Sequence, residues 1–582
     1  MNSVESSSGN APGAAPQTSS KSGWASFWQV RFLPCLLVFL SAFCLMVMEL
    51  VAPRLVARHL GSSIYTWTSV IGVVLAGLGL GNYIGGLLAD RFPPRSLLPH
   101  LFFVSSALVL STVWLNDALG AASELPGSFP FRVFLVITLV FFAPAAALGT
   151  ISPVVAKMAL EQSRRIGATI GNIYAWGQIG AIAGTFAAGY VLIAKLGSLT
   201  VIVLTSATLA VTGLCFVTAG IVHAIWCGAT IAALVMAVVP ASISWAVRAG
   251  EALRLRQQLG PHIVYFDESE YYTIKVETAP NEPSGVDLRV LVLDHLIHGY
   301  IHPTNPFHLQ YEYERTYVTV LKKAGVLPEN FELLTDEELD EVPPQYGRPV
   351  RALFIGGGSY TFPRFLEAAC PDSKIVVAEI DPAVTEAAHR ALFLPRDTTI
   401  EIIHGDARIT VRRLVDEVRD GKRDPFDCVF GDAFNDFSVP WHLTTREFNE
   451  QIARLLTPDG LYMINIIDDY DFARFLGAYV NTARRTFPFV AALSTSPVEP
   501  TANRDTFVVV MSKKPLDLSD IPPATGVGSN PASKLSNPPS GFECYLLTEE
   551  QLRRAIERAG VILLTDDYAP VENLLAPVAA DR

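Results

Sequence analysis

Charged side chains are scarce in this sequence. Only 17% of its 582 residues are Asp, Glu, Lys or Arg, whereas about 25% is usual for a soluble globular protein. The formal net charge is -12, and no basic tail or stripe is present, which argues against nucleic acid as a partner. The seven cysteines are scattered and none forms a Cys-x-x-Cys pair, so neither a disulfide framework nor a bound metal ion is expected.

Apolar residues are abundant instead, and they cluster in the first 250 positions. Spanning a bilayer takes roughly 20 mostly apolar residues, and seven segments meet this requirement. We therefore expect a multi-pass helical bundle over residues 31–250, embedded in the lipid bilayer of the inner (plasma) membrane. Residues 1–30, most of which are Ser, Gly, Ala or Pro, are predicted to form a disordered tail. The predicted spans are 33–51, 66–88, 97–115, 132–152, 170–193, 199–219 and 222–246.

Glycines recur every four residues in two of these spans. Gly77, Gly81 and Gly85 share one face of the second span, and Gly180 and Gly184 share one face of the fifth. Small residues at this spacing let helix backbones approach closely in lipid. The two faces are therefore interpreted as helix–helix contacts rather than as a transport pathway.

The pattern becomes that of a soluble protein after residue 257. Alternating apolar residues in 257–326 predict a small antiparallel β-sheet. Residues 347–575 follow a strand–loop–helix rhythm, which predicts a Rossmann-like domain with a parallel sheet covered by helices on both faces. A stretch rich in Pro, Ser and Gly, 514–541, is interpreted as a mobile loop of that domain. The predicted fold class is thus a membrane α-helical bundle followed by an α/β region.

Glycines or acidic residues follow four successive predicted strands of this domain. Glycines permit a tight turn and a close approach of the backbone to a ligand. An acidic residue about 20 positions further on can accept the hydroxyls of a ribose, and a third carboxylate can accept the amino group of an adenine. Open α/β sheets bind ligands at the carboxyl ends of their strands, so a nucleoside site is expected there. The residues are Gly356, Gly357, Gly358, Glu379, Asp406 with Ala407, and Asp432.

These strand ends, together with further motifs, resemble the aminopropyltransferases, of which spermidine synthase is the best known. The resemblance covers residues 262–575, and the membrane part is similar to bacterial spermidine synthase-like proteins that carry a transporter-like helical bundle. It implies a Rossmann domain of the class I methyltransferase type. The motifs are Tyr265–Phe266–Asp267–Glu268–Ser269–Glu270–Tyr271, Leu293–Asp294–His295, Ala378–Glu379–Ile380–Asp381, Gly405–Asp406–Ala407, Met48–Glu49–Leu50–Val51–Ala52–Pro53–Arg54 and Pro440–Trp441–His442.

The resemblance implies that an aminopropyl group passes from decarboxylated S-adenosylmethionine to a diamine such as putrescine, with release of methylthioadenosine. The donor is a co-substrate, and no permanently bound cofactor is implied. A sulfonium already activates the carbon, so the protein must align the amine and accept its proton on a carboxylate. The implied donor ligands are Gly356, Gly357, Gly358, Glu379, Asp406 and Ala407, the implied base is Asp432, and the implied acceptor-amine contacts are Asp436, Tyr271 and Tyr568, with Asp294 lining the pocket.

The sequence departs from this family in the amine-binding half. Familiar spermidine synthases have an aspartate after the three glycines, which engages the ammonium of the donor, and Ser359 stands there in this chain. Asn435 stands where a second aspartate of the Asp432 loop is expected. Two alternatives therefore stay open. One is an S-adenosylmethionine-dependent methyltransferase, and the other is a transporter or sensor that binds a nucleoside or polyamine without catalysis.

Location and assembly follow from the resemblance alone. The sulfonium donors are cytoplasmic metabolites, so the soluble domain is expected to face the cytoplasm. Lysine and arginine are balanced between the loops on the two sides of a seven-span bundle, so the positive-inside rule favours neither orientation. Soluble members of the family form dimers or tetramers, which leaves a homo-oligomer open.

Overall fold

The chain folds into an N-terminal helical bundle, a small antiparallel sheet and a C-terminal α/β domain, as seen in a computed structural model. The predicted disordered tail, 1–30, lies outside the residues that the structure describes. Asp436 and residues 525–541 of the predicted mobile loop lie outside them as well. The described residues are 32–120, 129–163, 165–216, 218–239, 243–256, 260–280, 285–335, 338, 346–433, 439–471, 473–498, 504–524 and 544–580.

The bundle consists of long apolar helices. Within the described ranges, six helices are long and apolar enough to cross a membrane, and a further apolar helix, Ser198–Leu214, has 17 residues. The fifth of the six, Ile166–Leu196, contains a π-helical turn at Ala188–Leu192. The helices are α1 (Leu33–Leu60), α2 (Ile64–Arg91), α3 (Pro94–Gly120), α4 (Phe129–Glu161), α5 (Ile166–Ala187), α6 (Ile193–Leu196), α7 (Ser198–Leu214), α8 (Ile221–Val238) and α9 (Ser244–Ala252).

Both glycine faces are contacts between helices, as the spacing predicts. A Cβ atom added at Gly81 in α2 would lie 2.1 Å from the carbonyl oxygen of Ala146 in α4. A Cβ atom added at Gly180 in α5 would lie 2.3 Å from the carbonyl oxygen of Phe39 in α1. These distances are far below van der Waals contact, so the backbones approach this closely only because a side chain is missing.

The small sheet follows the bundle directly. It has four antiparallel strands in the order β1-β2-β3-β4, and helix α10 leads from it towards the α/β domain. One face of β2 is buried, with Ile274 and Val276 fully inaccessible, which explains the alternation in the sequence. The elements are β1 (Ile263–Glu268), β2 (Thr273–Ala279), β3 (Leu288–Leu293), β4 (Leu296–Ile301) and α10 (Glu312–Lys323).

The α/β domain is built on an eight-stranded mixed sheet of order β12-β10-β11-β9-β8-β5-β6-β7. Strands β9, β8, β5, β6 and β7 are parallel to one another, and β10, β11 and β12 form an antiparallel edge in which β11 pairs with β9. The elements are β5 (Arg351–Ile355), α11 (Thr361–Ala369), β6 (Lys374–Glu379), α12 (Pro382–Ala391), β7 (Glu401–His404), α13 (Ala407–Arg419), β8 (Phe426–Gly431), α14 (Arg446–Leu455), β9 (Leu456–Asp469), α15 (Arg474–Ala483), β10 (Phe489–Ser494), β11 (Arg504–Ser512), β12 (Tyr545–Leu546), α16 (Glu549–Arg558) and α17 (Val571–Ala580).

The central strands are apolar throughout because helices cover both of their faces. Leu353, Phe354 and Ile355 in β5 are at most 4% exposed. The predicted fold class is therefore confirmed. Helix α17 was not predicted from the sequence, and it packs against the bundle. There the N–H of Ile64 donates to Glu572 Oε2 at 2.6 Å.

Candidate active site

The candidate site lies where the strand order changes direction, between β5 and β8. The chain runs from β5 outwards through β6 and β7 and then returns to β8 on the other side of β5. A crevice therefore opens beyond the carboxyl ends of these strands, the place where open α/β sheets bind ligands. Gly356 after β5 has φ +98, and a Cβ atom there would lie 2.3 Å from the carbonyl oxygen of Asp432 after β8. A glycine is thus required for the two strand ends to meet.

Glu379, at the end of β6, is held by backbone donors of the glycine turn and of the following loop. Its Oε2 accepts from the N–H of Gly357 at 2.7 Å, and its Oε1 accepts from the N–H of Asp381 at 2.8 Å. The side chain is 5% exposed, and this burial raises the pKa of Glu379 while the backbone hydrogen bonds oppose the rise. A carboxylate has about four acceptor positions, so Glu379 retains acceptor capacity towards a ribose.

Asp406 begins helix α13 and has two kinds of partner. Its Oδ1 caps the helix by accepting from the N–H groups of Arg408 at 2.9 Å and Ile409 at 3.1 Å, the usual role of aspartate at this position. Its Oδ2 lies 3.2 Å from Nε2 of His442. Ala407 is the first residue of the helix and is 8% exposed. His442 is a functional candidate that the sequence analysis quoted within a motif but gave no role.

Ser359 is committed to packing between the glycine turn and the small sheet. Its hydroxyl lies 2.6 Å from Oγ1 of Thr361, which itself donates to the carbonyl of Tyr300 at 2.8 Å. A Cβ atom at Gly299 in β4 would lie 1.9 Å from the Ser359 oxygen, and Ser359 is 4% exposed. The position at which the family has an aspartate is thus enclosed, and it carries no charge here.

Asp432 is held from two neighbouring elements. Its Oδ2 accepts from the hydroxyl of Tyr313 in α10 at 2.8 Å, and its Oδ1 accepts from Nδ2 of Asn465 in β9 at 3.2 Å. Burial raises the pKa of Asp432, and the two hydrogen bonds lower it by a smaller amount. The carboxyl group therefore has a fixed orientation and a basicity above that of a solvated aspartate, as a general base requires.

A second carboxyl group, that of the buried Glu314, lies near the half-buried Asp432, and the sequence analysis did not select it. It lies in α10 and is 3% exposed. Burial, together with the nearby Asp432 charge, raises the pKa of Glu314 to about 8. The negative charge of Asp432 disfavours ionisation of Glu314, because like charges that lie close together repel each other. A cation such as an alkylammonium would allow both to ionise.

A signal for Glu314 is present in the sequence. Tyr313 and Tyr317 lie on the buried face of α10 at helical spacing, and Glu314 is adjacent to that face. A glutamate among buried aromatic residues is uncommon unless it is paired or functional. The motifs that carry the family resemblance do not include this helix, so they did not draw attention to Glu314.

The remaining predicted contacts lie on different sides of the site. Tyr271 is 45% exposed, and its raised pKa reflects its loss of solvent and the nearby charges of Glu270, Asp381 and other donor-side carboxylates. Asp294 is 7% exposed, and its Oδ1 accepts from the N–H of Thr273 at 3.0 Å. Tyr568 is 58% exposed in a turn closed by Thr565. The structure thus brings Tyr271 close to Asp381, Asp406 and Glu379 and leaves Tyr568 at the surface.

In sequence, the chain is similar to curated polyamine aminopropyltransferases. That of Vibrio vulnificus is 33% identical over 118 residues, which cover 20% of this chain and 38% of the relative. Polyamine aminopropyltransferase 2 of Streptomyces coelicolor is 26% identical over 454 residues, which cover 74% of this chain and 73% of the relative. The chain spans less than half of the length of the first curated relatives that it matches. No family model matches it.

Solved structures of spermidine synthases also align with the chain. A probable spermidine synthase from Corynebacterium glutamicum aligns with a TM-score of 0.39 and 21% identity, over 53% of this chain and 97% of that chain. The similarities in sequence confirm the resemblance to spermidine synthase-like proteins, and the six apolar helices are compatible with a fused membrane region.

Proposed function

We propose that this protein is a membrane-bound polyamine aminopropyltransferase. It would transfer the aminopropyl group of decarboxylated S-adenosylmethionine to a diamine such as putrescine. The observation that carries the proposal is that Asp432, at a strand end suited to a nucleoside, has the buried carboxyl group of Glu314 nearby. A diamine acceptor must be bound as a cation and then deprotonated, and a carboxylate in a closed site can serve both steps.

The donor would occupy the crevice beyond β5 and β6. Gly356, Gly357 and Gly358 let the backbone approach it, and Glu379 accepts the two ribose hydroxyls. The loop of Asp406 and Ala407 receives the adenine. Asp406 is already engaged with its helix cap and with His442, so we assign recognition of the adenine edge to the loop as a whole.

The acceptor would bind with one ammonium group between Asp432 and Glu314. Since an alkylammonium has a pKa of about 10, its binding favours ionisation of the carboxyl pair. Asp432 then takes one proton, and the neutral nitrogen attacks the propyl carbon attached to the sulfonium. The new C–N bond forms as the C–S bond breaks, and the electron pair stays on sulfur in neutral methylthioadenosine. The hydrogen bonds from Tyr313 and Asn465 fix the carboxylate for this in-line geometry.

We assign Tyr271 to the mouth of the donor site rather than to the acceptor amine. Its neighbours Asp381 and Glu379 belong to the donor side. Tyr568 and Asp436 are kept as proposed contacts of the distal end of the diamine, and Asp294 as a lining residue of the donor side.

The apolar helices support insertion of the N-terminal region in the inner membrane, with the soluble domain in the cytoplasm, where both substrates are found. Reporter fusions at the C-terminus test this orientation. An alkaline phosphatase fusion should be inactive and a fluorescent protein fusion bright. The opposite pattern would contradict a cytoplasmic enzyme.

The proposal is tested with purified full-length protein, each of the two sulfonium donors and a panel of diamines. Asp432→Asn should reduce release of methylthioadenosine by about 10²- to 10⁴-fold, the usual contribution of a general base. Binding of the nucleoside should change little. Asp416→Asn, on the exposed side of α13 with 52% of its side chain accessible, is the matched control and should retain activity.

The alternatives predict other products. Release of adenosylhomocysteine from S-adenosylmethionine would support a methyltransferase instead. Binding of nucleoside and amine without turnover of either donor would support a sensor or transporter.

A further inference from the structure

A side chain of the bundle reaches the soluble region directly above the donor site. Arg54 lies in α1, six residues before its C-terminal end at Leu60. Its Nη1 donates to the carbonyl oxygen of Ser269 at 2.7 Å, and its Nη2 donates to the carbonyl oxygen of Glu270. One guanidinium group thus holds two successive carbonyls of the loop between β1 and β2.

The same loop is tied to the residues that face the nucleoside. The hydroxyl of Ser269 accepts from the N–H groups of Tyr271 and Tyr272, each at 3.0 Å, and donates to Oδ2 of Asp381. The N–H of Asp381 in turn donates to Glu379 at 2.8 Å. A continuous series of hydrogen-bonded residues therefore connects the membrane helix to Glu379, the residue proposed to bind the ribose.

Packing alone does not fix this loop, because a cavity lies between it and the bundle. The cavity has a volume of about 290 Å³, and Leu50, Pro53, Arg54, Trp67, Tyr271 and Asp294 are among its lining residues. A loop beside an unfilled space gains few dispersion contacts on that side. Directed hydrogen bonds across the space then have a larger part in determining its position.

We propose that Arg54 is a positioning residue of the donor site, through which the membrane bundle becomes part of the nucleoside-binding unit. The inference rests on the proposed function only in so far as the crevice beyond β5 and β6 binds a nucleoside. This role of Arg54 would explain why the helical bundle and the soluble region belong to one chain. The bundle holds the loop between β1 and β2 in place beside the donor site, in addition to any role as a membrane anchor.

Arginine suits this role better than lysine does. Its planar fork presents several N–H donors in a fixed geometry, whereas an ammonium group acts as a single point charge on a flexible stem. The carbonyl groups of Ser269 and Glu270 both accept from the guanidinium group of Arg54, so they match the geometry of its N–H donors. A lysine could reach one of them but could not hold both in the same orientation.

A second arginine, one turn further along α1, provides the matched control. Arg58 Nη2 lies 3.4 Å from Oε2 of Glu268 at the end of β1. The backbone N–H of Ser198 also donates to Glu268, at 3.1 Å from Oε1. Loss of Arg58 therefore leaves the end of β1 attached to the bundle, and it does not remove a donor from the carbonyls of residues 269 and 270.

The experiment measures binding of methylthioadenosine to full-length protein in detergent micelles by calorimetry, together with steady-state kinetics. Arg54→Ala should raise the dissociation constant and the KM of the donor by about tenfold, a loss typical of charge-assisted hydrogen bonds. The kcat and the KM of the amine should stay within about twofold. Arg54→Lys should give an intermediate loss, and added guanidinium ion should partly restore the Ala variant. Arg58→Ala should bind the nucleoside as the wild type does.

Unchanged binding in Arg54→Ala, or equal losses in Arg54→Ala and Arg58→Ala, would overturn the inference. Thermal melting separates misfolding from a local effect. If Arg54→Ala does not fold, Arg54→Lys decides the question, because wild-type binding in the Lys variant would refute the need for a fork. A wild-type protein that binds methylthioadenosine but transfers no aminopropyl group would refute the proposed function and still allow this test. A wild type that binds no nucleoside would refute both.

Discussion

Replacement of Glu314 by glutamine tests whether this buried carboxyl group is protonated in the native state. The amide has the shape of the acid but cannot titrate. In the wild type, burial raises the pKa of Glu314 from 4.5 to about 8. Between these two values the native protein keeps a proton that the unfolded chain has lost. Raising the pH through this window therefore favours unfolding of the wild type, and this contribution to stability is fully present only below pH 4.5.

The size of the effect follows from the shift. Each pH unit inside the window costs the wild type at most about 1.4 kcal/mol at this site, hence about 3 kcal/mol between pH 5.5 and 7.5. For the α/β domain, this loss of unfolding free energy corresponds to a decrease of roughly 6–12 °C in melting temperature.

The assay is thermal melting of full-length wild-type protein and Glu314→Gln at pH 5.5, 6.5 and 7.5. The melting temperature of the variant minus that of the wild type should increase steadily with pH. Glu312→Gln is the control, since Glu312 lies on the same helix with 59% of its side chain exposed, and its difference from the wild type should not depend on pH. A pH-independent difference for Glu314→Gln would refute a protonated Glu314 in the native state.

Two further substitutions test the bundle and the glycine turn. Gly81→Leu in α2 should abolish correct assembly of the bundle, because a Cβ atom would lie 2.1 Å from Ala146 O, whereas Gly79→Leu, which has nothing within 4 Å, should express and melt as the wild type does. Similar yields of the two in membranes would contradict the assigned helix contact. Ser359→Asp should lower the melting temperature and should not improve donor binding, since a carboxylate would be forced against Gly299 in a closed space; burying an unpaired charge is costly. Tighter donor binding by this variant would show that the site opens.

The strand ends could be predicted from the sequence because local features determine them. A short apolar run marks β5, and the three glycines that follow permit a tight turn. Glu379 follows the next apolar run at the spacing of a ribose ligand. These features depend on residues close together in the chain, so periodicity and spacing suffice to place them.

The surroundings of Asp432 and the glycine turn could not be predicted in the same way. Glu314 belongs to an amphipathic helix, and an acidic residue there would ordinarily face solvent. Its burial results from the way α10 packs on the sheet beside Asp432. Ser359 is enclosed because Gly299, 60 positions earlier in the chain, leaves room for it. Both outcomes depend on contacts between distant segments, which a single sequence does not encode in a readable pattern.

The junction of the two regions shows the same limit. Arg54 could be seen in the sequence as a charge near the end of an apolar span. Its partners are the carbonyls of Ser269 and Glu270, more than 200 positions away. Backbone carbonyls have no sequence signature, so the link between bundle and donor site emerges only from the three-dimensional arrangement.

The central claim is that this chain moves an aminopropyl group. Its most direct test is to incubate the purified full-length protein with decarboxylated S-adenosylmethionine, labelled in the aminopropyl carbons, and with putrescine. Mass spectrometry then follows both products. We predict that the label appears in a triamine in a one-to-one ratio with methylthioadenosine, and that Asp432→Asn abolishes both. Label that stays in the donor, while S-adenosylmethionine is converted to adenosylhomocysteine, would contradict the claim.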